Sequence, residues 1–302
     1  MCQSILIQLP DRALISVNGP DARAFLQGLV SNDVNKVNPN AAIYSALLTP
    51  QGKYLFDFFV LQPNENDPNH LWIDIDQSQA DTFLKRLRVF RLRSQVELTS
   101  VEPEKSVFAV LGSKVSILAK FDRGLLFSDP RHTNLGYRLL LDKSTLIPTV
   151  LSDLTIGTTE DYEDKRIALA IPKSDQDLIQ EKTTLLEAGF DELNGLDWDK
   201  GCYMGQEVTA RTKYRGLVKK RLFPLKREDS IPTPGSEIYQ GQKKVGLVTS
   251  CSDNLALASL NVKAALAVLN KGETIHLENN EEALKIMPPD WLKKSLKKHQ
   301  DE

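Results

Sequence analysis

Lys200-Gly201-Cys202-Tyr203-Met204-Gly205-Gln206-Glu207 places a thiol between two glycines, beside a lysine. Glycine leaves the backbone open to close approach, and a nearby cation favours the thiolate, the nucleophilic and metal-binding form of cysteine. The segment also begins at a charge reversal. Residues 160–199 hold twelve acids and four bases, whereas residues 200–227 hold nine bases and one acid. Gln206, Val208, Ala210 and Arg211 predict a helix opening just after the loop, whose dipole also favours an anion. The alternative for Cys202 is a small buried hydrophobe in a tight turn, the ordinary fate of a free cysteine.

Around this segment the composition is that of an ordinary globular chain. Of 302 residues, 41% are hydrophobic and 26% charged, with 38 bases against 40 acids and a net charge of -2. Such a length admits about two domains and a core that needs no disulfides. The near-neutral total excludes an overall basic nucleic-acid coat and leaves local basic faces open. Cys2, Cys202 and Cys251 are too few for a disulfide framework and too few to supply the four thiolates of an iron–sulfur cluster. Cys2 and Cys251 read as ordinary thiols, and no stably bound metal is expected. The N-terminus lacks a basic n-region, no apolar stretch reaches about 18 residues, and no Arg-rich leader pattern is visible. The expectation is therefore a cytoplasmic protein without membrane contact.

Strand and helix signals alternate along the first two thirds. Ala13–Val17 reads as a strand, and Ala22, Phe25, Leu26, Leu29 and Val30 recur at helical spacing, with Asp21 placed to cap. Ala41–Leu48 and Tyr54–Leu61 predict a hairpin around Pro50 and Gly52, and Leu71–Ile75 a further strand followed by a helix through Phe83, Leu84 and Leu87. Residues 85–93 hold Lys85, Arg86, Arg88, Arg91 and Arg93 interleaved with Leu87, Val89, Phe90 and Leu92, a segment expected to pack one face and solvate the other. Val107–Leu111, a short helix over Lys114–Lys120, and Gly136–Leu141 form a second cycle. From Leu217 onward short segments predict a small antiparallel barrel: Arg221–Leu225, Glu237–Tyr239, Lys244–Ser250, Leu255–Leu260, Ala265–Val268 and Thr274–Leu277. A Lys-rich tail after Pro288-Pro289 reads as a solvated helix face. The fold class is α+β, divided as residues 1–216 and 217–302.

Lys200–Glu207 matches the signature of the YgfZ-type family, folate-binding relatives of the glycine-cleavage T-protein (aminomethyltransferase) that serve assembly or repair of iron–sulfur proteins. Phe25–Val34 resembles that family's N-terminal helix motif and Pro50–Asp57 its hairpin. Arg166-Ile167 with Pro172, then Leu185–Gly189, resemble its central block. Ala210-Arg211 with Arg215-Gly216, and Val245–Ser250, follow suit, so the resemblance spans essentially the whole chain. It implies a T-protein-like ring of two intertwined α+β domains plus a C-terminal antiparallel β-barrel.

The same resemblance implies tetrahydrofolate or a folate derivative as a non-covalent ligand. It also implies iron–sulfur client or assembly proteins as partners, and tRNA modification as an associated process. Cys202 becomes the reactive residue. Asp57, Tyr162, Lys200, Gly201, Tyr203, Gly205, Gln206, Glu207 and Arg211 become the folate-binding candidates. Asp57 either engages a pterin nitrogen or, on an alternating strand, points to solvent. Tyr162 is either a stacking platform for the pterin or core. The chain departs from the T-protein pattern: Gly52-Lys53 replaces a glycine pair, Phe56-Asp57 stands where two acids would be, and Arg166–Ala170 contains no acid. Two rival functions follow: a folate-dependent aminomethyltransferase, and an RNA-associated protein using Lys213, Arg215, Lys219, Lys220 and Arg221.

Overall fold

The computed structural model describes residues 4–101, 105–112, 124–143, 154–216, 218–226, 231–278 and 283–298. The chain forms two compact units, each discontinuous in sequence. One comprises Met1–Pro50, Leu55–Thr159 and Leu193–Met204, the other Gln51–Tyr54, Glu160–Glu192 and Gly205–Glu302. The helix expected over Lys114–Lys120 lies outside the described residues.

The first unit contains β1 (Ile5–Leu9), β2 (Arg12–Asn18), α1 (Ala22–Gln27), β3 (Ile43–Leu48), β4 (Tyr54–Leu61) and β5 (His70–Asp76). It continues with α2 (Gln77–Arg91), β6 (Glu97–Ser100), β7 (Lys105–Leu111), β8 (Gly124–Ser128), β9 (Tyr137–Asp142) and β10 (Thr155–Ile156). Two five-stranded sheets result, ordered β3-β4-β5-β2-β6 and β10-β1-β7-β9-β8. Leu14, Leu61, Val107, Phe127 and Leu140 form one apolar cluster drawn from strands of both sheets.

α1 and α2 cover the first sheet. Phe83 of α2 meets Phe56 of β4 edge-on and Phe58 at a tilt, with ring centroids 5.2 and 4.8 Å away. Every residue of β4 is buried, so this strand is covered on both faces and carries a nearly continuous apolar run. One detail of the helices differs from expectation. Asp21 stands at the N-cap of α1 without capping it, because its carboxylate accepts from the backbone of Gln95 at 2.7 Å instead. On α2, Phe83, Leu84 and Leu87 are buried, but Val89 and Leu92 are exposed. Half-buried Phe90 packs on the core cluster one turn after Leu87, and Lys85, Arg86, Arg88, Arg91 and Arg93 are exposed, so this segment packs one face and solvates the other as expected.

The second unit contains α3 (Thr159–Ala168), α4 (Gln206–Tyr214), β11 (Lys220–Lys226), β12 (Glu237–Gln240), β13 (Lys243–Cys251) and β14 (Ala256–Asn261). It ends with α5 (Val262–Lys271), β15 (His276–Leu277), β16 (Lys285–Ile286) and α6 (Asp290–Lys298). Its sheet is a half-barrel ordered β15-β12-β13-β14-β11-β16, antiparallel throughout. Gly246 is required there: a Cβ would meet Leu260 Cδ2 at 2.3 Å and the Ser259 carbonyl at 2.8 Å.

The expected strand at Ala265–Val268 is instead part of α5. The Asn261 side chain caps the backbone N–H groups of Lys263 and Ala264, and Gly272, at φ 69°, ends the helix, so strong capping with an Ala-rich sequence outweighs the apolar run. The Lys-rich tail forms amphipathic α6, with Leu292 and Leu296 buried and Lys293, Lys294 and Lys297 exposed. No helix among the described residues is long and apolar enough to cross a membrane.

Candidate functional site

Residues 193–204 fold into the first unit as a strap over the end of α1. The Asp197 amide donates to the Ser31 carbonyl (3.1 Å), and the Ser31 hydroxyl donates to the Gly195 carbonyl (2.6 Å). Asn32 donates through its side-chain amide to the carbonyls of Tyr44 and Asn194, both at 2.8 Å. The Asp197 carboxylate closes a turn by accepting from the amides of Asp199 (2.8 Å) and Lys200 (3.1 Å), and it pairs with Lys36. Burial opposes its ionisation, but Lys36 and these amides outweigh burial and hold its acidity below the usual carboxylate range.

The cation next to the thiol is turned inward. The Lys200 ammonium donates to the carbonyls of Gln27 (2.9 Å), Val30 (2.5 Å) and Asn32 (2.8 Å), which occupies all three of its donors. These are carbonyls at and just beyond the C-terminus of α1, the groups a helix end leaves unsatisfied. Burial pushes the Lys200 amine down to about 8, against the pull of Asp33 and Asp197. Lys200, expected from the sequence to lend a positive field beside Cys202, thus also anchors the strap to the end of α1.

Gly201 and Cys202 are exposed, and Tyr203 turns back into the unit with 6% of its surface accessible. The Tyr203 ring lies 5.1 Å from the Lys200 nitrogen. Its hydroxyl has no hydrogen-bond partner among the described residues, and burial, followed by the charge of Asp197, pushes it up to about 12. Met204 then packs on the main core cluster. Cys202 therefore sits at the tip of a two-residue exposed turn held by buried anchors on both sides. Nothing lies within 4 Å of where a Gly201 Cβ would be, so packing does not require that glycine.

Asp57 belongs to the same unit. It is buried on β4 and its carboxylate accepts from the Tyr44 hydroxyl at 2.9 Å, so the alternative of a solvent-facing Asp57 is ruled out. The alternation that allowed it fails because β4 is covered on both faces. Beside this pair lies a charge network that sequence reasoning missed. Arg131 and Arg138 both hold Asp129 (2.7 and 3.3 Å), and Arg138 and Arg12 both hold Asp74 (2.7 and 2.6 Å). The guanidinium carbons of Arg131 and Arg138 lie 4.9 and 3.9 Å from the Phe59 ring centroid, and Arg131 lies 5.6 Å from that of Tyr44. Isolated arginines and aspartates scattered over 130 residues carry no spacing signal that would reveal such a cluster.

Tyr162, Gly205, Gln206, Glu207 and Arg211 belong to the second unit. Tyr162 is buried on α3, one turn before Arg166. Gly205, at φ 83°, is the N-cap of α4, which starts at Gln206 as expected. The 2.8 Å Glu207–Arg211 pair is mostly exposed and contributes little to stability. The hairpin tip packs here: a Cβ on Gly52, at φ 72°, would lie 3.1 Å from both the Gly205 carbonyl and Val208 Cβ. Arg166 is almost fully buried and pairs with Glu163 (2.6 Å) and Asp177 (2.9 Å), while Asp177 also accepts from Thr249 and Ser250 of β13. Arg166 is thus neutralised by acids on either side of it in the chain. Cys251, expected to be an ordinary strand residue, is exposed at the end of β13, and partial burial followed by the charge of Glu160 pushes its thiol up.

The architecture belongs to the structural class of the glycine-cleavage aminomethyltransferase fold. The crystal structure of glycine cleavage system aminomethyltransferase T from Bartonella henselae superposes with a TM-score of 0.76 over 96% of this chain and 86% of that one, at 16% identity. Residues 5–127 match the GCVT N-terminal domain, and residues 219–294 match the CAF17 C-terminal beta-barrel domain.

Within that class the chain belongs to the family of IBA57 iron–sulfur cluster assembly factors. It is 30% identical to the human mitochondrial factor IBA57 over 94% of this chain and 84% of that protein. The mouse factor is 32% identical with the same coverage. The Neurospora crassa homologue is 32% identical over 72% of this chain, which spans 53% of that relative's length. The YgfZ-type resemblance is narrowed to this related family, and these matches lend no support to the tRNA-modification expectation. The cytoplasmic expectation is overturned, since these relatives are mitochondrial proteins.

Proposed function

We propose that the chain is a tetrahydrofolate-binding factor in mitochondrial iron–sulfur protein assembly, with Cys202 acting as a thiolate that ligates a cluster or attacks a partner's disulfide, whose second sulfur leaves as thiolate. The observation that carries this reading is the exposed Cys202 tip fixed between buried Lys200 and Tyr203. Such a tip presents sulfur to another protein at little entropic cost, because its flanks are already ordered. One thiolate supplies one of the four ligands of a conventional cluster. The cluster is then a shared cargo, with the remaining ligands coming from the assembly partner.

Three features support folate. The Asp57–Tyr44 pair offers a buried carboxylate, Tyr203 holds a buried hydroxyl with no partner among the described residues, and the space beside Gly201 is open. These groups suit a flat ligand rich in N–H donors and carbonyl acceptors. The bound folate would supply a one-carbon carrier, while the protein's own residues bind and orient it.

Two measurements test the reading. Calorimetric titration with tetrahydrofolate should give saturable binding, and its absence at high micromolar ligand would remove folate from the assignment. Cys202→Ala should fold normally yet fail to restore cluster-dependent enzyme activity in cells lacking the protein. Full complementation would remove the thiol.

A further inference from the structure

The second unit carries a basic trough that the proposed function does not use. A cavity of about 580 Å³ is lined by Lys53, Lys182, Lys220, Lys243 and Lys244. Its floor is a face of the half-barrel sheet, where Leu222 of β11 and Leu247 of β13 both pair with Ser259 of β14. The segment 177–188 forms the opposite wall, contributing Ile179, Thr183 and Ala188. Two carboxylates reach this cavity, and both are committed elsewhere. Asp177 is held by Arg166, Thr249 and Ser250, and Glu187 accepts from Thr184.

Some of the cations also have partners: Lys53 donates to the Lys182 carbonyl and Lys244 pairs with Glu237. The ammonium groups of Lys182, Lys220 and Lys243 have no ion pair or hydrogen bond among the described residues, and all three side chains are exposed. The cavity continues past Lys243 and Asn261, which it shares with a second one of about 820 Å³. That cavity adds Arg215, Lys219 and Lys263, and no carboxylate lines it among the described residues. In a chain whose net charge is -2, this concentration of unpaired cations is local.

We propose that this trough binds an acidic polypeptide segment of a partner protein, one in which apolar side chains alternate with Asp or Glu. Charge complementarity selects the anion, and the apolar floor selects its type. Leu222, Val245, Leu247 and Ile179 in the first cavity, with Val262 and Leu266 in the second, match aliphatic side chains between carboxylates. Among the described residues that line the two cavities, lysines outnumber arginines seven to one and Tyr214 is the one aromatic. A nucleic-acid backbone is held preferentially by arginine forks with aromatic platforms for the bases, and here both are scarce. The continuation through Lys243 exceeds the size of one small-molecule pocket and suits an extended chain.

Fluorescence anisotropy of the full-length protein with a labelled twelve-residue peptide of Glu-Glu-Leu repeats tests the proposal. The wild type should bind saturably, and binding should weaken between about 50 and 200 mM salt as the ammonium groups are screened. Lys220→Glu/Lys243→Glu should lower affinity at least about tenfold with an unchanged circular dichroism spectrum. Lys182→Glu, outside the sheet, gives a second variant whose folding is not at stake, with the same direction expected. Lys271→Glu/Lys294→Glu, on exposed helix positions outside the trough, should bind like the wild type. Undiminished binding by the trough variants would overturn the proposal. Equal affinity for a Glu-Glu-Ser peptide, or stronger binding of single-stranded RNA than of the peptide, would overturn it as well.

Discussion

The Lys200 ammonium lies 5.1 Å from the Tyr203 ring, and between these two buried side chains the chain exposes Gly201 and Cys202. The motif thus has two kinds of residue, those that anchor and those that are presented. Their substitution should separate stability from function.

Lys200→Met keeps the length of the side chain and removes its donors. Three carbonyls at the end of α1 then lose their partner, and a buried acceptor left without one costs about 1–3 kcal/mol. Relaxation and water entry recover part of the sum, so a net loss of about 2–4 kcal/mol is expected. Urea unfolding at neutral pH measures it, and a variant as stable as the wild type would show that the anchor is dispensable.

Tyr203→Phe should behave in the opposite way. It deletes a buried hydroxyl that has no partner, so the folded protein should be unchanged or stabilised by about 1 kcal/mol. If that hydroxyl serves the folate, tetrahydrofolate affinity should fall at the same time. Calorimetry on a variant with a raised melting temperature distinguishes the two effects, and unchanged affinity would leave the hydroxyl without a ligand role.

The pH dependence of stability should carry the signature of Asp129. Burial opposes its ionisation, but Arg131 and Arg138 prevail and hold it at about 2, below the roughly 3.9 of an unfolded aspartate. A depressed carboxylate stabilises fully above the unfolded value and loses that contribution as pH falls from about 4 to about 2. Asp129→Asn should cost about 3–5 kcal/mol at pH 7, because it leaves two buried guanidinium groups without their shared partner. Denaturant melts at pH 7, 4 and 3 should show a flatter acid limb in the variant than in the wild type.

Two exposed thiols make a selectivity test. Cys251 is pushed up by burial and by Glu160, which lowers its thiolate fraction at neutral pH. In a Cys2→Ser background, limiting iodoacetamide at pH 7 should therefore label Cys202 several-fold faster than Cys251. Peptide mass spectrometry reads the ratio, and preferential labelling of Cys251 would contradict the presentation of Cys202 at the strap's tip.

Much of the local structure was legible because it depends on near neighbours in sequence. The hairpin around Gly52, the helix after Gly205 and five of the barrel strands follow from turn residues and apolar periodicity alone. Ala265–Val268 misled because a run of Ala, Leu and Val serves a buried helix as well as a strand, and the Asn261 cap decides between them. The outward option for Asp57 came from strand alternation, which presumes one wet face, and β4 has none.

By itself the sequence determined the class of the chain and singled out Cys202, since an eight-residue motif with two glycines and a thiol is a local pattern. The tertiary structure alone decided what surrounds it. Lys200 reaches carbonyls some 170 positions earlier in the chain, and Arg138 reaches Asp74, 64 positions earlier. Which charges end up buried together, and which remain free as in the lysine trough, depends on which distant segments fold into contact. That choice is made by the burial of the whole core, and no stretch of sequence read alone contains it.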